Sequence, residues 1–188
     1  MKQGKWTTKL PSFFARTKTY LETLENGGRY PHVVWPEHCL IGDEGHNIVP
    51  ALSAAVHEWE EQFASADLIT KGSNMWTEHF SGVKAEVPDP EDPSTQVNTK
   101  LIGTLEEADI ILLSGEALSH CLLSTVEDIA THFSDPKYIA KMVLLQDACS
   151  VIPDPPGTTM FSDKVASFLK EMQAKGMRLS TTEDFLAA

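Results

Sequence analysis

Cysteine is scarce in this chain, with three among 188 residues, and so low and odd a count leaves no disulfide framework. The N-terminus, Met1-Lys-Gln-Gly-Lys-Trp-Thr-Thr-Lys, is basic but has no apolar core behind it, so it is not read as a signal peptide. Both features predict reduced thiols and a cytoplasmic location. Long hydrophobic runs are missing too. None approaches the roughly 18 residues of a membrane span, so no membrane is expected as a partner. Basic charge is short, with 15 Lys and Arg against 27 Asp and Glu and a net charge of −12. A chain this acidic is a poor binder of nucleic acid or of an anionic membrane surface. There are no internal repeats. The length and the 41% hydrophobic content predict a single domain over 1–188 with one buried core.

Alternating apolar segments dominate what is present. From Ser12, Phe13, Phe14, Tyr20, Leu21 and Leu24 fall at helical spacing, and Gly27-Gly28 stop that helix. After Tyr30-Pro31, residues 32–35 predict a brief strand closed by Pro36. A polar loop follows, and a helix over 47–64 carries Ile48, Leu52, Val56, Trp59 and Phe63 on one face. Residues 66–70 predict another inner strand running into Lys71-Gly72. Residues 73–107 predict a long surface excursion, whose Pro/Asp middle at 87–94 sustains neither helix nor sheet. Helix is expected again at 98–106 and 161–175, the latter stopped by Gly176, with strands at 142–145 and 177–181 and a last helical turn from Glu183. Strands alternating with helices predict an α/β protein, three-layered, with a mainly parallel sheet.

The chain is organised around 108–130. Ile110 to Leu113 predict a strand buried on both faces. Leu122, Leu123, Val126 and Ile129 predict a helix. Between them a tight turn, 114–120, ends at Cys121. A thiol at a helix N-terminus meets unpaired backbone N–H groups that favour a thiolate and can receive an oxyanion. His38, Lys71, Cys121 and Asp147 all fall at or just past the carboxyl end of a predicted strand, where ligands of such sheets sit. Lys71 reads either as a solvated lysine or as a cation beside the thiol. Asp147 reads either as a reactive group or as a cap on its turn. Cys39 and Cys149 lack a flanking cation and are taken as structural. His120 is read as holding the turn rather than acting as the base. His38-Cys39 does not open a phosphatase loop, because Gly45 stands where such a loop needs Arg. His38 and His46 in one loop could hold a metal.

Together these residues resemble the nicotinamidase/isochorismatase family of cysteine hydrolases. Trp35-Pro-Glu-His-Cys-Leu-Ile-Gly42 with Gly45 is similar to the family's Trp-Pro-x-His-Cys loop. Lys71-Gly72 resembles its lysine at a strand end, and Gly115-Glu-Ala-Leu-Ser-His-Cys121 its Gly-x-Ala-x-x-x-Cys turn. Asp147-Ala148 has a family counterpart, and Trp76-Thr-Glu-His-Phe80 with the Pro/Asp excursion resembles a longer-loop bacterial branch. The resemblance runs from about Tyr30 to the end.

It implies a small-molecule amide as substrate and Cys121 as nucleophile, with an acyl-enzyme that water resolves. It implies Lys71 beside the thiolate, an oxyanion hole from the N–H groups of Ala117 and Cys121, and a cis peptide between Glu116 and Ala117. It implies a divalent metal such as zinc at His38, and a homo-oligomer. Two family features have no counterpart in this sequence. No Asp precedes Asp43, so the general acid/base Asp of the family's first strand is missing, and so is its Asp-x-His metal pair. In the family that strand lies mid-sheet, and without it flanking strands lose their partner. Upstream sequence is therefore expected to supply the strand and its Asp. A rival reading is a non-catalytic binding or scaffold relative. A third is an isochorismatase-like hydrolase that works without the thiol.

Overall fold

The computed structural model describes residues 7–27, 29–30 and 32–187. Gly28, which the sequence places at a helix stop, and Pro31, which precedes the expected strand at 32–35, lie outside them, as does the segment 1–6. Two compact units emerge, Met1–Thr70 and Lys71–Ala188.

The first unit holds helix α1 (Phe14–Gly27) and helix α2 (Pro50–Gln62), with single turns of 3-10 helix at Pro11–Phe13 and Glu44–His46. Pro50 opens α2, where a missing N–H costs no hydrogen bond. Neither strand expected in this unit forms: 32–35 and 66–70 have no strand pairing. An apolar run becomes a strand only beside a partner, and no strand lies in this unit among the described residues. Instead the Ala66 amide donates to Glu60 at 2.8 Å, folding the chain back on the end of α2. The apolar face of α2 is real in sequence, yet the helix buries none of its residues, and Trp59 stacks along its own helix on Phe63 at 6.0 Å.

The second unit carries helix α3 (Thr99–Glu107), strand β1 (Ile111–Gly115), helix α4 (Cys121–His132), strand β2 (Met142–Cys149), helix α5 (Met160–Ala174), strand β3 (Arg178–Ser180) and helix α6 (Thr182–Leu186). The sheet is parallel, in the order β1-β2-β3. Ile111, Leu112 and Leu113 pair with Met142, Val143 and Leu144, and the register then shifts so that Gly115 faces Cys149. Two successive strand–helix–strand units thus give the α/β class that the alternation predicts.

Caps fix where the helices start. Asn98 accepts from the Leu101 amide at 3.0 Å and begins α3. Asp154 accepts from the Phe161 amide at 2.6 Å at the start of α5. Gly176 (φ +109°) ends α5: its amide donates to Gln173, and Met177 donates to Met172 at 3.0 Å. Those two bonds and the buried Met172–Met177 pair form a Schellman stop.

The core joins Leu113, Leu123, Val126, Ile129, Met142, Leu144, Phe168 and Met172. In contrast to the expected strand buried on both faces, Ile110 is 48% and Leu112 47% exposed. Successive side chains of a strand point to opposite faces of the sheet, and in β1 the face that carries Ile111 and Leu113 is the buried one.

The Pro/Asp excursion is also more than surface. Ser81, Val83, Ala85 and Thr95 are all buried. The Thr95 hydroxyl accepts from the Asp89 amide at 2.8 Å and donates to the Asp92 carbonyl at 2.7 Å. Asn74 donates to the Asp92 carboxylate at 2.8 Å. Proline bars helix and sheet here, but side chains take over the backbone's hydrogen bonding.

Candidate active site

Cys121 is the first residue of α4 and is half-buried. His120 precedes it in a non-helical conformation and gives the helix no side-chain cap. The turn before it bends on Gly115 (φ +126°), and the Glu116–Ala117 peptide is cis. The Ala117 carbonyl accepts from the amides of His120 at 2.9 Å and Leu122 at 3.1 Å. Among the described residues, neither the Ala117 nor the Cys121 amide donates to another backbone group. These are the two N–H groups that the sequence resemblance assigns to an oxyanion hole.

The loop after β2 pins this turn. Leu118 donates to the Ser150 carbonyl at 2.7 Å. The Ser150 hydroxyl donates to the Glu116 carboxylate. The Ile152 amide donates to the Ser119 hydroxyl at 3.1 Å. His120 is buried, with Nδ1 2.9 Å from the Ser119 hydroxyl and its ring edge-on to Phe161 at 4.7 Å. Burial, and then the charge of Lys164, lower its basicity. It is a packed, neutral ring.

Lys71 comes to the thiol from a distant part of the chain. Its Nζ lies 3.6 Å from Cys121 Sγ and donates to the His79 carbonyl at 2.8 Å. Asp147, the fourth group expected at the strand ends, is engaged elsewhere. Its carboxylate accepts from the Thr182 hydroxyl and from the Thr182 amide at 2.8 Å, and these bonds hold it below the usual carboxylate range. It ties β2 to the first residue of α6, whose own cap is Thr181, and does not cap the turn after its strand.

The other cysteines differ from one another. Cys149 is half-buried and donates to the Leu145 carbonyl at 3.1 Å, and burial pushes its thiol up. Cys39 is exposed with φ +49°, so it packs no core.

The residues present do not fit a divalent ion at His38. Its side chain is exposed in the first unit, with Nδ1 donating to the Pro36 carbonyl at 2.6 Å. Among the described residues no three His, Cys, Asp or Glu side chains converge to hold a metal. The loop keeps the motif's histidine and lacks the companions that would complete a ligand set.

Sequence reasoning passed over two residues beside the pair. His79 takes the Gly72 amide on Nδ1 at 2.9 Å. Thr125, one turn into α4, donates to the Cys121 carbonyl at 2.8 Å. His79 appeared only inside a motif, and nothing in the hydropathy of α4 separates Thr125 from other part-exposed positions.

Chemically, the site joins a thiol and a cation at a helix N-terminus. That set can form a covalent adduct at Sγ and hold a negative oxygen beside it. Among the described residues no helix is long and apolar enough to cross a membrane.

No protein-family model and no curated protein matches the chain. Solved structures do resemble it. The yeast nicotinamidase Pnc1p is 18% identical with a TM-score of 0.53, over 78% of this chain and 58% of that one. A nicotinamidase/pyrazinamidase of Acinetobacter baumanii is 18% identical with a TM-score of 0.54, over 90% and 86%. PnC1 of L. infantum, solved in complex with nicotinate, is 22% identical with a TM-score of 0.53, over 80% and 62%. The chain thus spans less than two thirds of the length of the yeast and L. infantum proteins. At these identities the shared property is backbone architecture, and the chain has the isochorismatase-like α/β fold in which nicotinamidases are built.

Proposed function

We propose that the protein hydrolyses the carbon–nitrogen bond of a small amide, nicotinamide-like, through a covalent acyl-enzyme at Cys121. The Cys121 thiolate attacks the carbonyl carbon, and the oxyanion rests on the amides of Ala117 and Cys121. The C–N bond breaks, and the nitrogen leaves as ammonia with the proton that the thiol gave up. Water then cleaves the thioester and frees the acid and the thiol. Lys71 offsets negative charge at Sγ. The observation that carries this reading is Lys71 Nζ standing 3.6 Å from Cys121 Sγ. The amides handled by the proteins of similar fold point to the substrate class.

One observation favours a non-catalytic binding relative as the second reading: among the described residues no carboxylate is hydrogen-bonded or ion-paired to Lys71 or Cys121.

Ammonia release from nicotinamide, with mass spectrometry of the Cys121 peptide after acid quench, tests both. The amidase reading expects ammonia, an acylated Cys121, and loss of both in Cys121→Ala. No ammonia from nicotinamide or other small amides at a reactive Cys121 supports the binding relative. Ammonia release that survives Cys121→Ala overturns the thiol mechanism.

A further inference from the structure

The lysine of the pair is exposed and has a flexible stem, so it holds a position only where something fixes its end. Two hydrogen-bonded joints do this. At the first, His79 grips Lys71-Gly72 twice. Its ring Nδ1 accepts from the Gly72 amide at 2.9 Å, and its carbonyl accepts from Lys71 Nζ at 2.8 Å. A ring that accepts at Nδ1 carries its proton on Nε2, and Nε2 is buried with no hydrogen-bond partner among the described residues. Burial and the neighbouring Lys71 charge disfavour a second proton, against a weaker pull from Asp92. The ring therefore stays an acceptor.

At the second joint, the Gly82 amide donates to the Thr125 hydroxyl at 3.0 Å, and that hydroxyl donates to the Cys121 carbonyl at 2.8 Å. One hydroxyl proton and one lone pair are both used, so Thr125 ties the strap 72–82 to the first turn of α4. The loop closes: Lys71, His79, Gly82, Thr125, Cys121.

We propose that the strap 72–82 is the device that sets the spacing of the ammonium and the thiol, with His79 and Thr125 as its positioning residues. This rests on reading Lys71 and Cys121 as the working pair. Neither residue touches the reacting atoms through its side chain. Each acts through the residue it holds.

The test is a proximity reaction that needs no turnover. o-Phthalaldehyde condenses with an amine and a thiol to a fluorescent thio-isoindole, losing two waters, only where one ring can bridge the two groups. The wild-type protein should form this bridge between Lys71 and Cys121, located by peptide mapping, and Lys71→Ala or Cys121→Ala should abolish it. Thr125→Val and His79→Ala should each lower its rate about ten-fold, since a displacement near 1 Å is costly to a reaction between two placed groups. Thr125→Ser, which keeps the hydroxyl, and His79→Asn, which keeps an acceptor, should restore most of it. Thermal melts identify any variant that has lost its fold, and the Ser and Asn variants then carry the test through intermediate rates. Equal bridging in wild type, Thr125→Val and His79→Ala overturns the strap. Absence of the bridge in wild type overturns the pair itself. Bridging without ammonia release leaves the strap standing and removes the amidase reading.

Discussion

Lys71 and Cys121 are separated by 50 residues of sequence, yet Nζ of one stands 3.6 Å from Sγ of the other. An ammonium at that distance lowers the cost of negative charge on sulfur and on an oxygen beside it. Replacing Lys71 with Met keeps the stem and removes the charge. We expect kcat/KM for amide hydrolysis to fall by roughly 10²–10³-fold, the loss typical of a removed charge stabiliser. Lys71→Arg should recover part of the loss, because the charge returns in a larger, planar form. Stability should change by no more than about 1 kcal/mol, as one hydrogen bond of an exposed side chain is lost. Steady-state kinetics and a thermal melt check both, and an unchanged kcat/KM in Lys71→Met would remove Lys71 from the mechanism.

The three cysteines should label in a fixed order. The thiolate is the nucleophile, so whatever withholds it slows alkylation. Cys149 is half-buried, its thiol is pushed up by that burial, and its proton is directed at the Leu145 carbonyl. Cys39 is exposed and has only solvent access in its favour. With iodoacetamide at about pH 7, well under the ordinary thiol range, peptide mapping should find Cys121 modified first, Cys39 next and Cys149 last. Labelling of Cys149 ahead of Cys121 would contradict the roles given to both.

Much of the second unit was legible because apolar spacing reports burial directly. Leu122, Leu123, Val126 and Ile129 read as one helical face, and all four are buried. Gly176 read as a stop, and it ends α5 with a left-handed residue. The strands at 32–35 and 66–70 were misread for a physical reason. Hydropathy marks a segment able to pair but not whether a partner exists, and no strand lies in the first unit among the described residues. The excursion was misread for another. Its order rests on Thr95, Asp89, Asp92 and Asn74 bonding to backbone and to one another, and such bonds leave no trace in periodicity. The same holds for His79, whose use depends on the direction of one ring nitrogen.

Acid should weaken the fold in a window set by two histidines. His79 is lowered by burial and then by Lys71, and His120 by burial and then by Lys164. Both stay neutral in the folded state at pH values where an unfolded imidazole, with an ordinary pKa near 6.5, begins to protonate. Their contribution is complete above about 6.5 and is lost as pH falls through the lowered folded values. Asp92, Asp147 and Asp154 are held below the usual carboxylate range, chiefly by side-chain hydrogen bonds from Ser94, Thr182 and Ser162 respectively. Their contribution disappears only at lower pH, starting near 4. Melting temperatures taken from about pH 7 to about pH 5 should therefore decline before the carboxylates titrate, and less steeply in His120→Gln. A melt that is flat over that interval would show that neither ring is held neutral.

Thr95 offers the cleanest test of whether the excursion is structural. It is fully buried, and its hydroxyl is the shared partner of the Asp89 amide and the Asp92 carbonyl. Valine has the same shape without the oxygen. Thr95→Val would remove the acceptor of the part-buried Asp89 N–H and would free the turn that Asp92 caps with its bond to the Ser94 amide. We expect a loss of about 1–3 kcal/mol, the cost of removing a buried hydroxyl that makes two hydrogen bonds. Thr95→Ser, which keeps the hydroxyl and loses one methyl, should cost about 1 kcal/mol. Urea unfolding measures both variants against wild type. The order decides the matter: if valine is as stable as wild type while serine is weaker, the site is held by packing alone. If valine is the weaker of the two, the polar network holds the excursion, and with it the strap that leads from Lys71 to the nucleophile helix.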